Sequence, residues 1–100
     1  MDPADYGAWL LKGVVEMELN MKTEAEISFE NGVNGVENLE TTVDYWDGQL
    51  MLLKMGLISY SNYLVENGRV SEAKTIMEKG NEFLSDDNEF KMAYDDVMRA

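Results

Sequence analysis

Apolar residues in this chain recur at intervals of three and four, the period of a helix with one buried face. Five such stretches follow one another. The first carries Tyr6, Trp9, Leu10, Gly13, Val14 and Met17, and Leu11 and Val15 widen its stripe, which predicts contact with more than one neighbour. The second is Ala25, Phe29, Gly32, Val33 and Val36, and the third is Trp46, Leu50, Leu53, Leu57, Tyr60 and Leu64, alternating by four and three. Met51, Leu52, Met55 and Ile58 occupy a further flank of the third stretch, so that helix is either central or leaves a groove open. Ala73, Ile76, Met77, Gly80, Phe83 and Leu84 make a fourth face, and Phe90, Ala93, Tyr94 and Val97 a short fifth. Trp9, Phe29, Leu53, Leu57 and Phe83 are the expected core, because large apolar side chains at helical spacing are usually inside.

The polar punctuation divides the same five units. Asp2-Pro3-Ala4-Asp5 reads as a helix start, with an acceptor, an N1 proline and a favourable dipole charge. Asn20-Met21-Lys22 reads as a tight turn, and Thr23 with Glu26 three residues on reads as a capping box. Thr41-Thr42 can cap the third helix, Asn67-Gly68 supplies a left-handed stop, Ser71 caps the fourth helix, and Ser85-Asp86-Asp87-Asn88 breaks it. The expectation is an all-α fold: a five-helix antiparallel bundle of two stacked helical hairpins plus a C-terminal capping helix. One domain spans residues 1–100, with hairpin 1 at about 3–40, hairpin 2 at about 43–84 and the capping helix at about 87–98.

The hairpins echo each other. Glu18, Thr23, Glu24, Ala25, Phe29, Glu30 and Gly32 recur as Glu66, Ser71, Glu72, Ala73, Met77, Glu78 and Gly80, each pair 48 positions apart. Trp9 and Gly13, then Ala25 and Phe29, then Gly32, make the first hairpin resemble a tetratricopeptide repeat; Leu57, Tyr60, Ser61, Leu64, Ala73, Met77 and Gly80 take the corresponding sites in the second. Lys12 and Glu16 stand where that family prefers Leu and Tyr, Glu37 and Ser85 replace its closing prolines, and the 48-residue period exceeds its 34. The resemblance implies stacked hairpins that recognise a partner. A second resemblance runs through Tyr6-Gly7-Ala8-Trp9-Leu10-Leu11, then Ala25 with Phe29-Glu30-Asn31-Gly32-Val33, then residues 54–64. That pattern is similar to the three-helix microtubule-interacting-and-trafficking domain, and it implies that a partner's short helix docks between two helices.

Composition narrows the chemistry. Without cysteine or histidine the chain lacks the residues of thiolate and imidazole metal sites, of disulfides, and of the commonest nucleophile and general base. Asp44-Tyr45-Trp46-Asp47-Gly48 lacks the spacing and terminal Glu of a calcium loop, and neighbouring carboxylates such as Glu16 with Glu18, or Asp95 with Asp96, point to different sides of a helix. The expectation is therefore a protein without enzymatic activity, metal or cofactor. The net charge of −12 disfavours direct contact with nucleic acid or an anionic membrane, and the absence of a long apolar run predicts a soluble, cytoplasmic protein. Residues 1–50 hold eleven acids and two bases, whereas residues 51–100 hold nine acids and six bases, so a basic partner meets the first half first.

Two surfaces follow from these patterns. Met51, Met55 and Ile58 offer polarizable apolar contact, and Glu26, Glu30, Glu37 and Glu40, continued by Asp44 and Asp47, make an acidic row whose self-repulsion a basic partner would relieve. The expected function is a small acidic adaptor, assembly factor or chaperone that binds a helix or extended segment with a basic or amphipathic surface. An alternative is an acidic phage or mobile-element inhibitor that mimics nucleic acid and blocks a DNA- or RNA-binding enzyme. A homodimer through the third helix is a further way to cover its apolar flank.

Overall fold

A computed structural model describes residues 6–37 and 47–100 of the chain. Five helices occupy them: α1 (Tyr6–Glu18), α2 (Lys22–Glu37), α3 (Asp47–Glu66), α4 (Val70–Leu84) and α5 (Asn88–Met98), with no strand among the described residues. The Asp2-Pro3 start and the Thr41-Thr42 cap lie outside the described residues. Helices α1 and α2 form one hairpin and α3 and α4 another. Helix α1 also lies along α3, and α5 packs on α4 and, less extensively, on α3. The described residues extend over 34 × 34 × 19 Å, a slab two helices thick.

Each hairpin turns through the same backbone device. Asn20 (φ 61°) and Gly68 (φ 76°) both enter the left-handed region, 48 residues apart. Met21 N–H donates to the Glu16 carbonyl at 2.8 Å and Asn20 N–H to Met17 at 3.0 Å; Arg69 N–H donates to Leu64 at 2.8 Å and Gly68 N–H to Val65 at 3.0 Å. These paired bonds satisfy the last carbonyls of α1 and α3 as Schellman motifs. They also correct the expected caps. The next helix begins at once, with Met21 and Arg69 accepting the first helical bonds from Ala25 and Ala73, so Thr23 and Ser71 fall inside helices instead of capping them. Arg69 makes no side-chain cap. A side-chain cap does stand at α5, where Asp87 Oδ1 accepts from Phe90 N–H at 2.9 Å.

The core follows the predicted stripes except at Trp9, which was expected inside but is only partly buried and stands outside the core cluster. Ala25, Phe29, Leu10, Leu53, Leu64, Ala73, Met77 and Phe90 are fully enclosed, Leu57 nearly so, and Phe83 packs half-buried against them. Close approach depends on missing side chains: a Cβ on Gly32 would stand 2.6 Å from Leu10 Cδ2, and one on Gly56 would stand 2.6 Å from Leu10 Cβ. Leu10 of α1 is thus seated between glycines of α2 and α3, which fixes three helices with one side chain. Gly80 does the same for Leu57 and Phe90, whose atoms come within 2.5 and 2.8 Å of where its Cβ would be. The Phe29 ring, 4.9 Å from that of Tyr60 and nearly parallel to it, links the two hairpins.

Leu11 and Val15 do not widen the buried stripe. Helix α1 reaches both α2 and α3, but through Tyr6, Leu10, Gly13 and Glu16, while Leu11, Val15 and Leu19 project outward at 43, 47 and 64% exposure. In a two-layer slab each helix has one side facing away from the other layer, and these residues occupy that side of α1.

Candidate functional site

Glu26 and Glu30, the described part of the acidic row, lie on a different part of the slab from the methionine flank. Helix α2 spends Ala25, Ser28, Phe29, Gly32, Val33 and Val36 on packing, and Glu26 and Glu30 stand on the flank that overlooks α4. Between α2 and α4 runs a groove of about 300 Å³ with Tyr60 and Leu64 of α3 as its floor. Val33 and Ile76 make the apolar parts of its walls, and Glu30 on α2 and Glu72 on α4 the charged parts; Asn34 and Thr75 complete it. Burial, with Glu30 nearby as a second cause, pushes the Tyr60 phenol up to about 12, so the floor stays neutral at physiological pH.

Arg69 bridges the two walls, pairing with Glu26 on α2 and, through Nη2, with Glu72 on α4 at 2.7 Å. Those carboxylates, Glu72 first, hold the guanidinium pKa above its ordinary value. Of the predicted acidic row, Glu26 is therefore occupied within the molecule, a contact between residues 43 apart that no local pattern reveals. Glu30 is exposed and lines the groove. Glu37 and Asp47 end α2 and begin α3, where only their helical backbone is described, and Glu40 and Asp44 lie outside the described residues.

Met51 and Met55 stand on α3, 57 and 40% exposed, whereas Ile58 is half-buried against the core. Met51 borders a second groove of about 420 Å³, with Leu50 and Lys54 from α3, Phe83 and Leu84 from α4, and Asp86 and Asp87 from the turn. Lys54 Nζ lies 3.2 Å from Asp87 Oδ2 and 3.9 Å from Glu89 Oε1 there. The Phe90 amide first, and Lys54 after it, hold the Asp87 carboxyl below its usual range. The two grooves share no lining residue.

A polar cluster built on Lys12 and Glu16, the two departures from the resembled repeat pattern, lies between α1 and α2. Ser28 Oγ donates to Glu16 Oε1 at 2.5 Å, and Lys12 Nζ donates to Glu16 Oε2 at 2.9 Å and to Ser28 Oγ at 3.2 Å. Lys12 foremost, then Ser28, keeps the Glu16 carboxyl pKa below the ordinary value against the opposing effect of burial. With Ser28 almost fully enclosed and both oxygens of Glu16 engaged, the cluster ties two helices together and presents no open hydroxyl. The i,i+4 pairing of Lys12 with Glu16 was visible in the sequence; its packing against Ser28 was not.

Intramolecular pairs absorb Lys12, Lys54, Arg69, Lys79 and Arg99, five of the eight basic residues. Among the described residues no group of three or more acids gathers closely enough to hold a metal ion, and no helix is long and apolar enough to cross a membrane. No protein-family model, curated protein or solved structure matches the chain.

Proposed function

We propose that this protein is a non-enzymatic interaction module, an adaptor, assembly factor or chaperone that docks a helix or extended segment of another protein. The observation that carries this reading is the exposure of Met51, which borders the Leu50–Phe83–Leu84 groove, and of Met55 one helical turn further along, on a helix whose opposite face is sealed in the core. Methionine side chains are flexible and polarizable, and they suit surfaces that must fit a partner without a preformed mould. The anionic exterior adds long-range attraction for a basic segment.

The experiment is affinity capture from the native cells with wild type and the Met51→Ser/Met55→Ser double variant. A partner taken by wild type and lost by the variant, with helicity and melting unchanged, supports docking at this flank; equal capture by both removes it.

A second reading, imitation of a nucleic-acid backbone by the carboxylates, is favoured by the consumption of most basic side chains in internal pairs, which leaves the unpaired charge predominantly negative. Capture that collapses between about 0.1 and 0.5 M salt and does not respond to the methionine changes would favour it, because charge is screened and apolar burial is not.

A further inference from the structure

Helices α1 and α3 run side by side in one direction, with Leu52 over Gly7 and Leu10 over Gly56, while α2 and α4 pack against their other side. Five of the eight large hydrophobic side chains that stand exposed among the described residues lie on the outer surface of this pair: Leu11, Val15 and Leu19 on α1, and Met51 and Met55 on α3, each between 40 and 64% exposed. Together they present roughly 500 Å² of open apolar surface, at the upper end of what a monomeric protein leaves uncovered. Acid is missing from the same surface. The chain carries twenty acidic residues, yet residues 6–15 and 48–65 contain none. Exposed carboxylates stand instead on the other helices, as Glu24 and Glu30 on α2, Glu72 and Glu78 on α4, and Asp95 and Asp96 on α5, while Glu18 and Glu66, at the ends of α1 and α3, mark the acidic edge of the face.

We infer that the outer face of α1 and α3 is where two copies of this chain meet, in a two-fold dimer that buries Leu11, Val15, Met51 and Met55 of one protomer against the same patch of the other. Charge decides the occupant. A basic segment finds no carboxylate in the middle of this face to pair with, whereas a second molecule of net charge −12 can approach most closely where acids are absent. Area sets the strength. The apolar part falls short of the roughly 800 Å² per partner of a standard interface, and Glu18 and Glu66 oppose contact at the edge, so the dimer has a Kd of about 10–100 µM. The inference goes beyond the docking reading, because it covers the methionine flank in the free protein and adds α1 to it.

Sedimentation velocity of the full chain from about 5 µM to about 0.5 mM tests it. Wild type passes from monomer to dimer across that range. Raising salt from about 0.05 to 0.5 M tightens the dimer, because screening weakens repulsion between like-charged copies and leaves apolar burial intact. Leu11→Glu and Met55→Glu each weaken it at least about tenfold with helicity unchanged, whereas Ile27→Glu, the same change of charge at an exposed aliphatic position on α2, alters it by less than about twofold. Should a glutamate variant lose helicity, Leu11→Ser and Met55→Ser carry the same comparison. A wild type that stays monomeric to about 0.5 mM, a dimer that Ile27→Glu weakens as much as Leu11→Glu, or a dimer that dissociates as salt is added overturns the inference. In each of those cases the docking reading still stands if capture from cells depends on Met51 and Met55. A dimer with the expected pattern of variants, together with capture indifferent to those methionines, removes the docking reading instead and leaves the dimer in place.

Discussion

The hydroxyl of Ser28 on α2 donates to the carboxylate of Glu16 on α1 across 2.5 Å, inside an interface that is otherwise apolar. Lys12 completes the arrangement from the solvent edge. A charged residue on the buried side of a helix is tolerated because both of its oxygens have donors, and removing the charge without removing the shape isolates its contribution.

Glu16→Gln is the isosteric test. The folded-state pKa of Glu16 lies below the ordinary glutamate value, so its contribution to stability is fully present above that ordinary value and is lost as pH falls through the folded one. Thermal melts should show wild type more stable by about 1 kcal/mol at neutral pH, a modest figure because the half-exposed Lys12 is screened by solvent. The gap should close in acid. A gap independent of pH would mean that Glu16 acts by shape alone.

Gly56→Ala adds a methyl group directly against Leu10 Cβ, an atom that no rotamer change can move aside. Alanine gains about 1 kcal/mol of helix propensity over glycine, but overpacking in a close-packed core costs about 1–3 kcal/mol, and here Gly32 holds Leu10 from the other side. Urea denaturation should report a net loss. Gly32→Ala should cost less, because its nearest contacts are the outer atoms of the Leu10 side chain.

Met51→Ser and Met55→Ser should leave stability within about 0.5 kcal/mol of wild type, as substitutions at exposed positions usually do. Chemical denaturation of the double variant checks this. A loss of several kcal/mol would place the two side chains in packing and remove them as a docking surface.

Arg69→Gln should loosen the joint between hairpins without unfolding either one. Amide exchange should quicken in the first turns of α2 and α4, where Glu26 and Glu72 lose their shared partner. The stability difference from wild type should narrow as salt rises from about 0.05 to 0.5 M, since these groups are partly exposed and screened. A difference insensitive to salt would show that Arg69 acts mainly through the packing of its aliphatic stem.

Local pattern carried most of the fold into view. Helix order and most buried faces follow from apolar spacing, and Ala25, Phe29, Leu53, Leu57, Ala73 and Met77 sit where that spacing puts them. The misreadings have specific causes. Thr23 and Ser71 look like caps, but a left-handed residue at Asn20 or Gly68 turns the chain so tightly that each helix starts before them. Leu11 and Val15 look like core because a wide stripe on a helix does not reveal which edge meets a neighbour. The site was less legible, since it depends on pairings between distant residues. Glu26 and Glu30 are indistinguishable in the sequence, yet only Glu26 meets Arg69, whereas Tyr60, Leu64, Val33 and Ile76 read as core and are core, forming the closed base of the groove between α2 and α4.

Leu10, gripped by a glycine of α2 on one side and a glycine of α3 on the other, works as a key through three bolts. An array of stacked hairpins can ordinarily shed its terminal unit and leave the remainder standing. Here the first arm cannot peel away without withdrawing the side chain that fills the second, so the two arms should be lost together, in a single step, when the protein is heated.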